Sequence, residues 1–500
     1  MINVMQRKKA GFGGLSIVLT IVLVALVIMF NVLFQGFANK FMWFIDMTGN
    51  AMYTLSDSCV RQMKETIPKL ATPSDQVKPV RIIFLDSPDK LNSEVTQRYV
   101  YNTALNLESL LPEYISVSWI DIWTYPESVK MYKEQFGRLQ STMVVIDCGE
   151  QGYRVLRLNE FFHFLAKDSE TPVGYNGDAR FASAIVNLLS EDKQKCYLTT
   201  NHGETYYDTQ LLMTFVDAGY TLSYLNLLQQ PIPDDCDLLL IFNPTADLTV
   251  ADGVSQMDEK VKLENYMAGG GKMMTFVSDS MQKLPNLESF LAEWNVELLR
   301  HTNEEGTSYP YMIKDPAASL TSDGSTIVGN IVASGIGAQW LAPMREASYS
   351  QSVIFKNSTA LGITGANASV ETTPVFVSNN GAEAWSAGAL VKANETFNLM
   401  TVSVNPLTQA HLLVCASSAY SSEEYMMSVV FGNREALQRI CVGFGKKDVM
   451  TDIDYKPFSD ATIHSITTAS MARWTVCLSV IPAVAVIGCG VIILVRRKHA

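Results

Sequence analysis

A chain of 500 residues is too long for one hydrophobic core and predicts two or three domains. With 48% hydrophobic and 18% charged residues it is foldable, far from the polar, strongly charged balance of a disordered sequence. A net charge of −12 argues against nucleic acid or anionic lipid head groups as partners, since both would be repelled.

Residues 1–10 form a short tail carrying Arg7, Lys8 and Lys9. Gly11 to Leu33, "GFGGLSIVLTIVLVALVIMFNVL", runs 23 residues without a charge, which as a helix would measure about 34 Å and predicts a transmembrane span. A cleaved signal peptide is the competing reading, with "GFA" at 36–38 as its small-x-small site, but the apolar run is longer than such peptides carry. Residues 34–78 read as a juxtamembrane segment, with "FMWF" (41–44) as an interfacial anchor, followed by a helix with Ser56 as N-cap. Over 79–165, strands at 80–85, 115–120 and 142–147 alternate with helices across 94–111 and near 127–136. A hairpin through "CGEQGYRV" then leads to a helix from Asn159. That is the order of a thioredoxin-like domain, here without the redox motif of that fold.

A linker at 166–178, rich in Gly, Pro and acids, delivers the helix "ARFASAIVNLLS", with Phe181, Ile185, Leu188 and Leu189 on one face. Residues 179–448 predict a second α/β unit. Its strands fall at 195–200, 221–227, 238–242 and "KMMTFV", with helices at 209–217 and 254–267, the latter stopped by Gly269, Gly270 and Gly271. The pattern predicts a parallel, doubly wound sheet of class I amidotransferase-like or flavodoxin-like type. The stretch near 300–370, rich in Ser, Gly and Thr, reads as an irregular insertion. Strands return at 374–378, 399–404 and 411–417, and helices at 422–430 and 433–443 close the unit. A return segment (449–473) leads to Trp474–Val495, a second predicted span of 22 residues, and to a tail (496–500) with Arg496, Arg497 and Lys498. The basic flanks place both tails in the cytoplasm and the intervening region outside a two-pass cell membrane protein. Those six basic residues leave −18 of the net −12 on residues 10–495. The expected fold class is thus α/β, two transmembrane helices flanking an extracytoplasmic region with a thioredoxin-like and a doubly wound domain.

The eight cysteines show no CxxC and no Cys/His ligand spacing, so neither a zinc site nor a dithiol centre is expected, and no cofactor is implied. In an open parallel sheet, ligands gather beyond the carboxyl ends of the strands. There "TTNHGE", "FNPTAD", "FVSDS" and "CASSAY" bring His202, Gly203, Glu204, Asn243, Asp247, Ser278, Asp279, Ser417 and Ser418 to one rim as candidate ligand or partner contacts. No Gly-x-Ser-x-Gly elbow is present, and His202 and Glu204, two apart in a loop, lack HExxH geometry. "GGGK" at 269–272 fails as a phosphate loop because Tyr266 and Met273 stand where Gly and Ser/Thr are needed. Structural roles follow: Gly203 for the turn, Glu204 near the positive end of the next helix, His202 bonding across loops, Ser417 and Ser418 for a strand-end turn and cap. The competing readings are a surface hydrolase or amidotransferase-like enzyme using His202 and Glu204, and a ligand sensor at the same rim.

Further blocks along the chain carry a resemblance. "DMTGNAMYTLSDSCVRQMKET" is similar to the Asp-x-Thr and Tyr-Thr-Leu-Ser opening of the auxiliary components of ABC transporters typified by GldG. "ARFASAIVNLLSEDKQKCYLTTNHGE" resembles that family's helix, strand and "GHGE" segment, and "CDLLLIFNPTADLTVADGVSQMDEKVKLENYMAGGGKMMTFVSD" its next block. "VVFGNREALQRICVGF" and the Pro-containing stretch before Arg-Arg-Lys resemble its ending. One departure stands out: the family has Gly before His-Gly-Glu, and this chain has Asn201, which also tolerates left-handed backbone. The resemblance implies a membrane-anchored, non-enzymatic auxiliary subunit of an ABC export-type system. It would work with a separate permease and ATPase and engage substrate, a cell-envelope ligand or partner proteins. It brings no catalytic residues to carry over.

Overall fold

The computed structural model describes residues 21–33, 51–73, 78–133, 137–164, 171–191, 193–206, 209–251, 258–304, 306–346, 351–426, 430–446, 449–450, 453 and 456–458. Residues 21–33 are helical. Among the described residues no helix is long and apolar enough to cross a membrane. The expectation of two transmembrane helices is corrected by this finding, and with it the two-pass cell-membrane placement with cytoplasmic tails and an extracytoplasmic domain. Residues 11–20 and the second expected span, 474–495, lie outside the described residues.

Helix α1 (Asp57–Leu70) starts where the Ser56 hydroxyl accepts from the Cys59 N–H, and it buries Cys59, Met63 and Ile67, one residue per turn. Strand β1 (Val80–Phe84), helix α2 (Val95–Leu110), and strands β2 (Ile115–Trp119), β3 (Val144–Asp147) and β4 (Tyr153–Leu156) follow. They build a sheet in the order β2-β1-β3-β4, with only β1 and β2 parallel. Of the helix expected near 127–136, Lys133 is α-helical, 134–136 lie outside the described residues, and Pro126–Tyr132 is a 3₁₀ segment. Residues three apart eclipse in that geometry, so Val129 and Tyr132 enter the same apolar cluster together. The helix expected from Asn159 is a single 3₁₀ turn, Leu158–Phe161, running into strand β5 (Phe162–Phe164). Strand β5 pairs antiparallel with β6 (Pro172–Tyr175), and β6 with the returning pair Lys456–Pro457, so part of the expected linker is strand.

Helix α3 (Gly177–Leu189) is buried almost all round, with Phe181, Ala182, Ala184, Ile185 and Val186 in apolar surroundings and Asp178, Arg180 and Ser183 also enclosed. It packs against α1, α2 and α4 (Thr209–Asp217). The large sheet uses β7 (Lys195–Thr199), β8 (Thr221–Leu225), β9 (Leu238–Phe242), β10 (Lys272–Phe276), β11 (Val296–Leu298), β12 (Thr326–Ile331), β13 (Val353–Lys356), β14 (Leu361–Ile363), β15 (Glu371–Val377), β16 (Asn398–Asn405) and β17 (Ala410–Cys415). Its order is β13-β12-β15-β16-β17-β10-β9-β7-β8, with β14 beside β16 and β11 beside β14. Five strands, β8-β7-β9-β10-β17, run parallel, and β16 turns the sheet antiparallel.

The sheet is therefore mixed rather than wholly parallel. The stretch near 300–370 is not an irregular insertion, because β12, β13 and β14 extend this same sheet. β12 and β14 are interrupted by glycine and β13 and β14 are only four and three residues long, so alternation is hard to read, and β12 and β14 pair with strands that come later in the chain, β15 and β16.

Both faces of the parallel part are covered. Leu240, Phe242, Met274, Phe276 and Leu413 enter one cluster, while Leu239, Ile241, Met273, Leu412 and Val414 enter another. A strand buried on both faces has no polar positions, hence "LLLIF". Helix α5 (Glu259–Ala268) stops at the three glycines, where Gly270 has φ +89 and a Cβ would lie 2.7 Å from the Thr408 carbonyl oxygen.

Helix α7 (Asn433–Gly443) closes the described fold through its first residue. The fully buried Asn433 amide accepts from the Ile354 N–H (2.8 Å) and donates to the carbonyls of Ile354 and Tyr420 (2.9 Å each), joining the edge strand β13 to the helix. Asn433→Ala strands three buried backbone groups and lowers stability by about 3 kcal/mol in urea unfolding; a loss near zero would show that the edge strand holds without it.

Candidate functional site

In chain order β7, β8, β9, β10 and β17 are the first to fifth parallel strands, and they lie 2-1-3-4-5. The order reverses between β7 and β9, and beyond the carboxyl ends at that point such sheets take their ligands. The two loops there are tied by backbone: the His202 carbonyl accepts from the N–H groups of Thr245 (2.7 Å) and Ala246 (2.9 Å). Gly203 makes the approach sterically feasible. It has φ +76, and a Cβ there would lie 2.1 Å from Thr245 Oγ1. The left-handed residue of the turn is thus Gly203, not Asn201, which is absent from the described residues with positive φ.

His202 does not face outward. Only 2% of it is exposed, and its ring lies between two buried carboxylates, Nδ1 at 3.1 Å from Glu204 Oε1 and Nε2 at 3.0 Å from Glu259 Oε2. Burial by itself would push the imidazole pKa down. The hydrogen bonds and charges of Glu204 and Glu259 outweigh it and raise the value to about 9. Both carboxyl groups move below the usual range: burial opposes this, and the hydrogen bonds and charge of His202 overcome it. At neutral pH the ring is an imidazolium donating from both nitrogens.

The carboxylates are otherwise occupied. Glu204 accepts from the His202 N–H at 2.7 Å and from the Thr199 hydroxyl. It turns back onto its own strand end, and residues 207–208, ahead of helix α4, lie outside the described residues. Glu259, the first residue of α5, accepts from the Thr249 N–H (2.8 Å) and the Asn201 amide (2.6 Å). Asn201 also accepts from the Leu227 N–H at 3.1 Å, which binds the loop after β8 to the same cluster.

The remaining rim residues do not join this cluster. Asn243 ends β9 at φ +47, its N–H donating to the Phe276 carbonyl. Asp247 turns away and accepts from the N–H groups of Asn286 (2.9 Å) and Leu287 (3.0 Å), serving the first turn of helix α6 (Pro285–Glu293). Ser278 shares a 3.1 Å hydrogen bond with Ser280. Asp279 follows β10, and burial raises its carboxyl to about 6. Ser417 is fully buried, donates to the Lys356 carbonyl and accepts from the Tyr420 N–H, capping the 3₁₀ turn Ser418–Ser421. Among the described residues none of Ser278, Ser417 and Ser418 has a histidine as hydrogen-bond partner.

Glu259 is the one member that sequence reasoning missed. Its local signal is the Asp258 N-cap, whose carboxylate accepts from the Val261 N–H at 2.9 Å, and that marks a helix start without naming His202, 57 positions earlier. Among the described residues no group of three or more His, Cys, Asp or Glu side chains could hold a metal ion. The six described cysteines are buried and unpaired.

No family model matches the chain, and no curated protein matches it. Among solved structures it is similar to the N-terminal domain of mmIFT52, at 12% identity and TM-score 0.37, over 51% of this chain and 99% of that one. It is also similar to a ThuA-like protein from Bacteroides uniformis, at 11% identity and TM-score 0.33, over 53% and 96%. A third is PurLQS from Thermotoga maritima, at 11% and TM-score 0.25, over 50% and 98%. The resemblance to the transporter auxiliary family accordingly stands on its own quoted residues.

Proposed function

We propose that this chain is a non-enzymatic auxiliary subunit of an ABC transport system, working beside a separate permease and ATPase and engaging substrate or partner proteins through its α/β fold. The observation that carries the non-enzymatic part is the occupied switch point. Where such a sheet would admit a substrate, the His202 ring is enclosed, charged and bound at both nitrogens, so it offers no lone pair to take a proton. The absence of a Walker motif in the sequence is consistent with a partner that supplies the nucleotide chemistry.

The transporter part rests on the order of the resembling blocks along the chain. Affinity purification of the tagged full chain from its native cells, in a mild detergent that keeps a permease soluble, tests it. Recovery of an ATPase with a Walker motif and of a multi-span permease is the expected result. Their absence from a preparation in which the chain itself is intact would sink the proposal.

A further inference from the structure

Away from the large sheet, a cavity of about 730 Å³ opens beside β2 and the loop that leads into β3. That is within the usual range for a small-molecule site. Its lining includes Trp123, Lys133, Arg138, Gln140, Ser141 and Thr142. A second cavity of about 580 Å³ shares Arg138, Gln140 and Thr142 and adds Arg157.

The walls are anchored. Val129 and Tyr132 on one side and Leu139 and Met143 on the other belong to one buried apolar cluster. The Tyr132 hydroxyl donates to Asp147, which also pairs with Arg81. Trp123 is 73% exposed, yet its backbone is fixed, because Asp121 accepts from its N–H (3.0 Å) and from the Thr124 hydroxyl (2.9 Å). An exposed indole on a fixed turn presents a flat apolar face to whatever enters.

The polar lining is unspent. Among the described residues, the side chains of Lys133, Arg138, Gln140, Ser141 and Thr142 have no hydrogen-bond or ion-pair partner. No carboxylate is among the described lining residues of either cavity, in a chain with 50 acidic residues against 38 basic. A flat aromatic face, neutral donors and acceptors, and unpaired cations are the complement of a pyranose ring carrying an acid. The ring's C–H face stacks on indole, its hydroxyls meet amide and hydroxyl groups, and its anion meets guanidinium in a paired geometry. The net charge of −12 repels a long polyanion and restricts the ligand to one or two charges.

We infer that the groove between Trp123 and Arg138 is a binding site for a small anionic sugar, carboxylated or phosphorylated. The inference is independent of the transporter reading.

Titration of the purified full chain with glucuronic acid, glucose 6-phosphate and glucose, followed by tryptophan fluorescence and calorimetry, tests it. Saturable binding of at least one acid, about 10-fold or more tighter than glucose and weakened by salt, is expected. The two acidic arms decide between carboxylate and phosphate. Arg138→Ala weakens that binding about 10-fold, and Trp123→Ala removes the fluorescence response, while both keep the circular dichroism of the parent because both side chains are exposed. Glucose binding as tightly as the acids, no saturation with any of the three, or unchanged binding in Arg138→Ala would each overturn the assignment. Failure here leaves the co-purification result untouched, and the reverse holds as well.

Discussion

Replacing His202 with alanine lowers the stability of the fold by about 3–5 kcal/mol at pH 6, the cost of leaving buried charges without their partner. The side chains of Glu204 and Glu259 are both fully buried, and His202 is the cation between them. The pH dependence follows from the shifts. The folded value of His202, about 9, lies above its ordinary 6.5, so its contribution is complete below about pH 6.5 and fades as pH rises through 9. Glu204 and Glu259 are shifted below their ordinary 4.5, so theirs is complete above that value and is lost as pH falls through the lowered ones. The cluster is strongest between roughly pH 4.5 and 6.5. Urea unfolding of parent and His202→Ala should show the gap between them shrinking from pH 6 to pH 10. A loss below about 1 kcal/mol, or a gap that grows with pH, contradicts a buried imidazolium.

An effect of similar size is expected at Asp217, the last residue of α4. Its carboxylate is 3% exposed and receives three guanidinium groups: Arg180 from α3, Arg434 from α7 (2.5 Å) and Arg154 from β4 (3.7 Å). Burial would raise its pKa, but Arg180, Arg434 and Arg154 together hold it below the carboxylate range. Arg180 keeps a second partner in Glu160, whose charge also reaches Arg154, whereas Arg434 has no other described carboxylate partner. Asp217→Ala therefore leaves like charges facing each other and costs about 3–5 kcal/mol. Because Arg154 belongs to the small sheet and Arg434 to the helix that closes the large one, the loss should loosen both. Hydrogen exchange should report faster opening in β4 as well as in α7. Protection that falls in α7 alone would show that Asp217 does not join the two parts.

Periodicity made the central strands legible. "LLLIF" and "KMMTF" are continuous apolar runs of strand length beside strong stop signals, and both sheet faces are covered, so neither run has a polar position to confuse the reading. The same logic lost its grip over 300–370, where β12 is a half-exposed strand containing Thr and Gly and β13 is a buried run of only four residues at the antiparallel edge of the sheet. Short elements were the other difficulty. The 3₁₀ segment Pro126–Tyr132 and strand β5 are defined by what they pack on and pair with, and seven or three residues hold too little period to announce that. The apolar run from Gly11 was legible only as hydropathy, and among the described residues no helix is long and apolar enough to cross a membrane.

At the candidate site, the loop "TTNHGE" was legible as a strand-end corner, and Gly203 as the residue that permits it. Composition and local spacing determined that much, together with the acidic balance, the lack of a P-loop and the positions of the buried strands, because each depends on neighbours a few residues apart. The partner of His202 was decided only by the tertiary structure. Strand order 2-1-3-4-5 carries the start of α5 to the end of β7, and Glu259 then meets an imidazole 57 residues away. The same holds for the three arginines around Asp217 and for the unpaired cations beside Trp123. Charges act through space at a few ångströms, and chain separation carries no record of that distance until the sheet has set it.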